Sequence, residues 1–216
     1  MSFRCHSGYR SSMPVCAFGV VLFFLLEASA MAGPAKGSGY NLPEIKYSLF
    51  NFKDLGLMTI EREKIAEQLA SYVVNELGPR VIAGSDTKSI RLAEKILGLA
   101  FHLDPKNKTA VVADFQFKRG ISPEKVEADY KPETLSALLY KRSELLFQQE
   151  GSSDKTLARY LLYIAVEMNP HNVDAVYDYE IMRRDGRAPD WNSLISGDGT
   201  KLTSPKLPPA IPENEE

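Results

Sequence analysis

Cysteine is almost missing from this chain. Among 216 residues only Cys5 and Cys16 are cysteine, and none follows position 16. Beyond that point a disulfide framework, a thiol nucleophile and a cysteine-ligated metal are excluded, so stability there must come from apolar packing. Histidine is scarce as well: His6, His102 and His171 stand apart, with no second histidine or cysteine at ligand spacing. Neither a metal nor another cofactor is expected from them, and His102 and His171 read as surface residues at loop edges. An excess of one charge is also lacking: 26 basic and 28 acidic residues give a net charge of -2. No broad basic surface results, and nucleic acid is not an expected partner.

Two catalytic patterns fail on their details. Gly84-Ser85-Asp86-Thr87-Lys88-Ser89 has the residue types of a phosphate loop. It lacks a glycine before the lysine and a strand in front, and helix capping explains Ser85 and Asp86. Carboxylates recur at helical spacing, Asp174 with Asp178 and Glu124 with Glu127. A hydrolase could use such a pair, but solvated helices are rich in acids, so no catalytic residue is expected. Arg183, Arg184 and Arg187 suit the negative end of a helix dipole. Asn107-Lys108-Thr109 is a formal glycosylation sequon.

The N-terminus has a layout of its own. Arg4 and Arg10 precede an uncharged run of 12 residues, Val15 to Leu26. Ala28-Ser29-Ala30 and Ala30-Met31-Ala32 each offer small residues at cleavage spacing. This is the layout of a secretory signal peptide over residues 1–32, cleaved near Ala30 or Ala32. The run is shorter than the roughly 20 residues of a membrane span. A start at Met13 would remove both arginines. Cys16 sits at the start of the apolar run, most of which follows it instead of leading up to it, unlike a lipoprotein cysteine. An uncleaved anchor is the alternative, and only then would the membrane be a partner.

Residues 33–56 begin as a Gly, Pro and Ser-rich linker and end in Tyr47, Leu49, Phe50 and Phe52, expected to dock on the first helix. Apolar periodicity then predicts helices over about 59–77, stopped by Gly78-Pro79, and from Ser85-Asp86 to Asp104-Pro105. Further helices are expected over about 109–118, from Pro132 to Gly151, from Ser153 to Pro170 and over about 172–184. Ser122-Pro123-Glu124 predicts a short helix in 121–131. The helix from Pro132 carries Leu135, Leu138, Leu139, Leu145 and Leu146. Strand alternation is not sustained anywhere, so the fold class is all-α, built of antiparallel helical hairpins. Residues 187–216 lose periodicity, with Trp191 and Leu194 set against the last helix and a Pro, Gly and charge-rich tail from Gly197, expected to be disordered.

One pattern occurs twice, 65 residues apart. Leu92-Ala93, Leu97, Ala100, Pro105, Asn107, Ala110 and Val111 recur as Leu157-Ala158, Leu162, Ala165, Pro170, Asn172, Ala175 and Val176. Alanines seven apart let a neighbouring helix approach, the larger residue between fills the groove, and proline forces the turn. In this order the chain resembles the tetratricopeptide repeat (TPR) family over roughly residues 60 to 186. The period is slightly short of two units of about 34 residues, and the stretches after Pro105 and Pro170 lack the family's first-helix glycine.

The resemblance implies a short TPR-like right-handed solenoid over 57–186. It also implies a concave face, lined by first helices, that receives a peptide or protein. Val112, Gln116 and Arg119, then Tyr177, Ile181 and Arg184, would face that partner; read without the family, Tyr177 and Ile181 are core residues. The family's lysine and asparagine clamp for a terminal carboxylate is missing at these positions. Together the signal and the repeats lead to an exported, non-catalytic interaction scaffold in the cell envelope, periplasmic or secreted. The alternatives are an envelope enzyme or its accessory subunit on a helical fold, and a membrane-tethered scaffold.

Overall fold

A computed structural model describes residues 39–196, and these are all helix, turn and irregular chain. The expected signal peptide, both cysteines, the start of the linker and the tail from Gly197 lie outside the described residues.

The first helix, α1, spans Thr59–Tyr72 and continues as a wide π-helical turn, Val73–Leu77. Gly78-Pro79 does not stop the chain, as the sequence had suggested. The path stays helical through α2, Gly78–Ala83, and ends only at Gly84, whose φ of 65° is left-handed. Proline has no N–H to give to the preceding turn and its ring crowds the carbonyl four residues back. A widened turn just before Pro79 absorbs both conflicts.

Helix α3, Thr87–Leu103, is the centre of the fold. Asp86 caps it by accepting from the amides of Lys88 and Ser89 at 3.0 and 3.2 Å. Ile90, Ala93, Ile96, Leu97, Leu99, Ala100 and Leu103 are all buried and, at 100° per residue, cover one half of the helix, with Gly98 and His102 buried beyond its edge. An apolar face that wide needs several neighbours to cover it. The helix packs against α1, against α4 (Lys108–Lys118) and against α8 (Trp191–Ile195). Gly98 is where α8 comes closest: a Cβ there would lie 3.1 Å from Leu194 Cδ2.

Helices α5, Pro132–Phe147, and α6, Ser152–Met168, form the closest helix pair, and α7, Val173–Arg184, packs on α6. Small residues permit the approach: Ser136, Ser143, Ala158 and Ala165 are fully or almost fully buried. Ser136 Oγ donates to the Ala165 carbonyl across the pair at 2.8 Å.

The turns after α3 and α6 are built from matching bonds. Asp104 N–H donates to Ala100 O and Asn169 N–H to Ala165 O, at 2.8 and 3.0 Å. The side chains of Asn107 and Asn172 then accept from Ala110 N–H and Ala175 N–H at 2.9 and 3.2 Å, capping α4 and α7. The sequon asparagine is thus a buried cap. Its amide, and the Thr109 hydroxyl, also donate to the Glu67 carboxylate on α1 at 2.8 and 2.7 Å.

The linker reading is corrected from Tyr40 onward. Tyr40, Leu42, Phe50, Leu55 and Leu57 are buried, so this stretch is a strap. It is bonded mainly to α3 and α6 rather than α1. Asn41 N–H donates to Glu94 at 2.9 Å, Leu49 N–H to His102 Nδ1 at 3.0 Å, and Gly56 N–H to the buried carboxylate of Asp154 at 2.7 Å. Phe50 packs edge-on against His102 and Tyr160. Tyr47 is exposed, and of the four aromatic-end residues Phe52 is the one stacked on α1, under the Arg62 guanidinium.

Three more expectations change. His102 is 2% exposed, a core histidine rather than a surface one. Residues 121–131 are irregular, not helical; Asn75 accepts from Val126 N–H and donates to Val126 O, at 3.0 and 2.9 Å, supplying the bonds a helix would have made. Trp191 and Leu194 find their partners on α6 and α3. Trp191 stacks on Tyr160 and Tyr163 of α6, and Leu194 lies on α3, so packed structure continues to residue 196.

Candidate interaction surface

Apart from Tyr47, Phe52, Met58 and Ile60, before or at the start of α1, uncovered apolar side chains gather in three places on the described surface. On α4, Val111, Val112 and Phe115 are exposed, joined by Ile121 just beyond it. On α5 they are Leu138 and Leu145, and on α7 Val173, Tyr177 and Ile181. Burying one such residue is worth about 1.5–3 kcal/mol, so each exposed stripe is a gain the isolated chain leaves unused.

Beside α4 lies a hollow of about 480 Å³ containing Val112 and Gln116, with Val74, Ile121, Pro123 and Val126. Val112 is exposed on this hollow, whose other side is formed by the irregular chain from Ile121 to Val126. The Gln116 Oε1 atom is buried without a hydrogen-bond partner among the described residues. Arg119 does not line this hollow; its guanidinium lies over the Phe115 ring, 4.2 Å from the centroid.

Beside α7 a second hollow, of about 530 Å³, takes in Tyr177 and Ile181 with Phe147, Leu162, Met182 and Arg159. Tyr177 is 66% exposed and Ile181 39%, so the reading of both as core is corrected. The α7 helix buries only Ala175 and Met182, and four-residue spacing carries Val173, Tyr177 and Ile181 along its outer face. Arg184 is exposed and does not line this hollow, whereas Arg187 does. The two trios read from the sequence thus supply two members each to separate hollows. Around the second, Tyr140 Oη donates to Asp178 at 2.9 Å. Burial, and then this carboxylate, push the Tyr140 phenol well above its ordinary value. Asp178 therefore acts as an acceptor for Tyr140, while Asp174 is exposed. Glu124 and Glu127 sit exposed on the irregular segment and share no helix face.

The third place has no counterpart in the sequence reading. Between α1 and α5 runs a groove of about 290 Å³, its floor made by Ile65, Tyr130, Leu135, Leu138, Leu139 and Leu145. Leu138 and Leu145 are 45% and 49% exposed. Charged side chains line its rim in pairs. Lys64 meets Asp129 at 3.4 Å, Lys141 meets Glu144 at 2.8 Å, and Arg142 meets Glu61. Gln68 reaches the groove from α1, 6% exposed, with Nε2 donating to Asp129 at 3.2 Å. Its Oε1, and the Nε of Arg142 on the other wall, have no partner among the described residues.

No cluster of three or more His, Cys, Asp or Glu that could hold a metal ion occurs among the described residues. Nor is any described helix long and apolar enough to cross a membrane. Compared with protein-family models, curated proteins and solved structures, the chain matches none of them.

Proposed function

We propose that the chain is an exported, non-catalytic interaction scaffold of the cell envelope, whose helices stack as antiparallel hairpins in a short TPR-like right-handed solenoid and hold a protein partner. The observation that carries this reading is the stripe Val173, Tyr177 and Ile181, at 76%, 66% and 39% exposure, beside a hollow of about 530 Å³. A row of large apolar side chains at four-residue spacing has one physical outlet on a soluble chain, the apolar face of something else. The doubled Ala93/Ala100 and Ala158/Ala165 pattern supports the solenoid, since alanines at those places set close helix approach. The layout of residues 1–32 supports export.

The test is a pull-down from envelope extract with the tagged chain, wild type beside Ile181→Glu. A central anchor in an interface is worth 2 kcal/mol or more, about thirtyfold in affinity. Recovery of a specific protein by the wild type and its loss in the variant is expected. Equal recovery by both, or no specific protein, overturns the reading.

A further inference from the structure

The groove between α1 and α5 deepens the scaffold reading, on which it rests, because its unmatched groups specify the chemistry of an occupant. We infer that it takes an extended, uncharged, apolar peptide segment of another protein, held by its backbone at Gln68 and Arg142.

Electrostatic complementarity decides among the occupants. The rim cations Lys64, Lys141 and Arg142 already face Asp129, Glu144 and Glu61. Neither a strongly acidic nor a strongly basic ligand gains from such a rim. What stays unmatched is one buried acceptor, Gln68 Oε1, and one buried donor, Arg142 Nε, on opposite walls of an apolar floor. A donor and an acceptor together are the complement of a peptide group. Leaving such atoms desolvated and unpaired is a deficit that a peptide N–H and C=O remove.

A helix offers no free N–H or C=O along its middle, because its bonds are internal. An acyl chain offers neither group anywhere. An extended chain offers both at every residue, with side chains alternating between floor and solvent. The stretch of α5 from Leu135 to Leu145 rises roughly 15 Å, room for four or five extended residues at about 3.3 Å each.

The fold already performs this recognition once. Asn75, seven residues beyond Gln68 and so close to the same side of the helical path, grips both backbone groups of Val126 in the irregular segment 121–131. Gln68 and Asn75 line one adjoining hollow with Tyr130. That segment then turns at Lys131 into α5, leaving the groove beyond Gln68 open. A partner segment would continue along the face where the chain's own segment leaves off.

The experiment passes a fluorescein-tagged pool of uncharged pentapeptides, randomised over Leu, Val, Ala, Thr and Ser, over the immobilised full chain. Retained peptides are expected to carry large apolar residues at alternate positions and to be lost on Leu138→Glu, with melting temperature as the folding control. N-methylation of their central amide should weaken binding about three- to tenfold, one hydrogen bond's worth. The same modification should cost nothing further on Gln68→Met. No retention above Leu138→Glu, indifference to N-methylation, preferential binding of oleate, or a dimer abolished by Leu138→Glu each overturns the proposal. Should peptides fail while Ile181→Glu still loses a specific protein, the groove assignment falls and the scaffold reading stands.

Discussion

His102 ties three segments together, and replacing it tests whether the strap and α8 belong to the core. Its Nδ1 accepts from Leu49 N–H at 3.0 Å, and its Nε2 lies 2.7 Å from Leu194 O. Those two bonds require the neutral ring with hydrogen on Nε2. His102→Leu keeps the apolar bulk and removes both partners. The Leu49 amide is only partly buried and can find water, costing about 1 kcal/mol; the buried Leu194 carbonyl costs nearer 2–3 kcal/mol. The expected loss is about 3–4 kcal/mol, read from urea denaturation at pH 7.5. The same residue gives a pH signature. Burial outweighs the bond to Leu194 and lowers the pKa of His102 from its ordinary 6.5. As pH falls below 6.5 the unfolded chain takes up a proton that the folded chain refuses. Stability is therefore full above that value and declines below it, by at most about 1.4 kcal/mol per pH unit. In His102→Leu this part of the decline between pH 6.5 and 5 should vanish. A loss under 1 kcal/mol, or an unchanged slope, would refute the reasoning.

Four further outcomes follow from the same geometry. Asn107→Ala uncaps α4 and frees Glu67, and should lower stability by about 1–2 kcal/mol in urea unfolding. Gly98→Val forces a side chain into Leu194, so α8 should lift: overpacking costs about 1–3 kcal/mol, and hydrogen exchange in 191–196 should quicken. Burial raises the phenols of Tyr160 and Tyr163 above 10. The unfolded chain then ionises first, so stability should hold below pH 10 and fall above it, and Tyr160→Phe should flatten that fall in thermal melts. On the proposal of export, intact mass should place the first residue at Met31 or Gly33; a start before Val15 would refute cleavage.

The parts of the fold visible in the sequence are those whose forces are local. Asp86 announces a helix start because a cap acts within three residues, and Ala93, Ala100, Ala158 and Ala165 announce buried faces by periodicity. The strap is different. Tyr40, Leu42 and Phe50 sit in a Gly, Pro and Ser-rich stretch with no period, and their burial is decided by α3 and α6, far along the chain. His102 read as a loop-edge residue because nothing near it in sequence hints that Leu49 and Leu194 close over it. α5 carries more leucines than contact with α6 can bury, and the surplus, Leu138 and Leu145, forms the wall of a groove. That surplus, with Gln68 inside the apolar face of α1, was the one available sign. For Tyr177 and Ile181 the periodicity was right and the burial was not, because no element among the described residues lies over that side of α7.

Photo-cross-linking from position 177 in the living host tests the scaffold reading most directly. With benzoylphenylalanine in place of Tyr177, the reading predicts one discrete adduct with an envelope protein, lost when Ile181→Glu is added and not formed from the exposed position Glu127. A chain that yields no adduct from position 177, or the same diffuse adducts from positions 177 and 127, would contradict it.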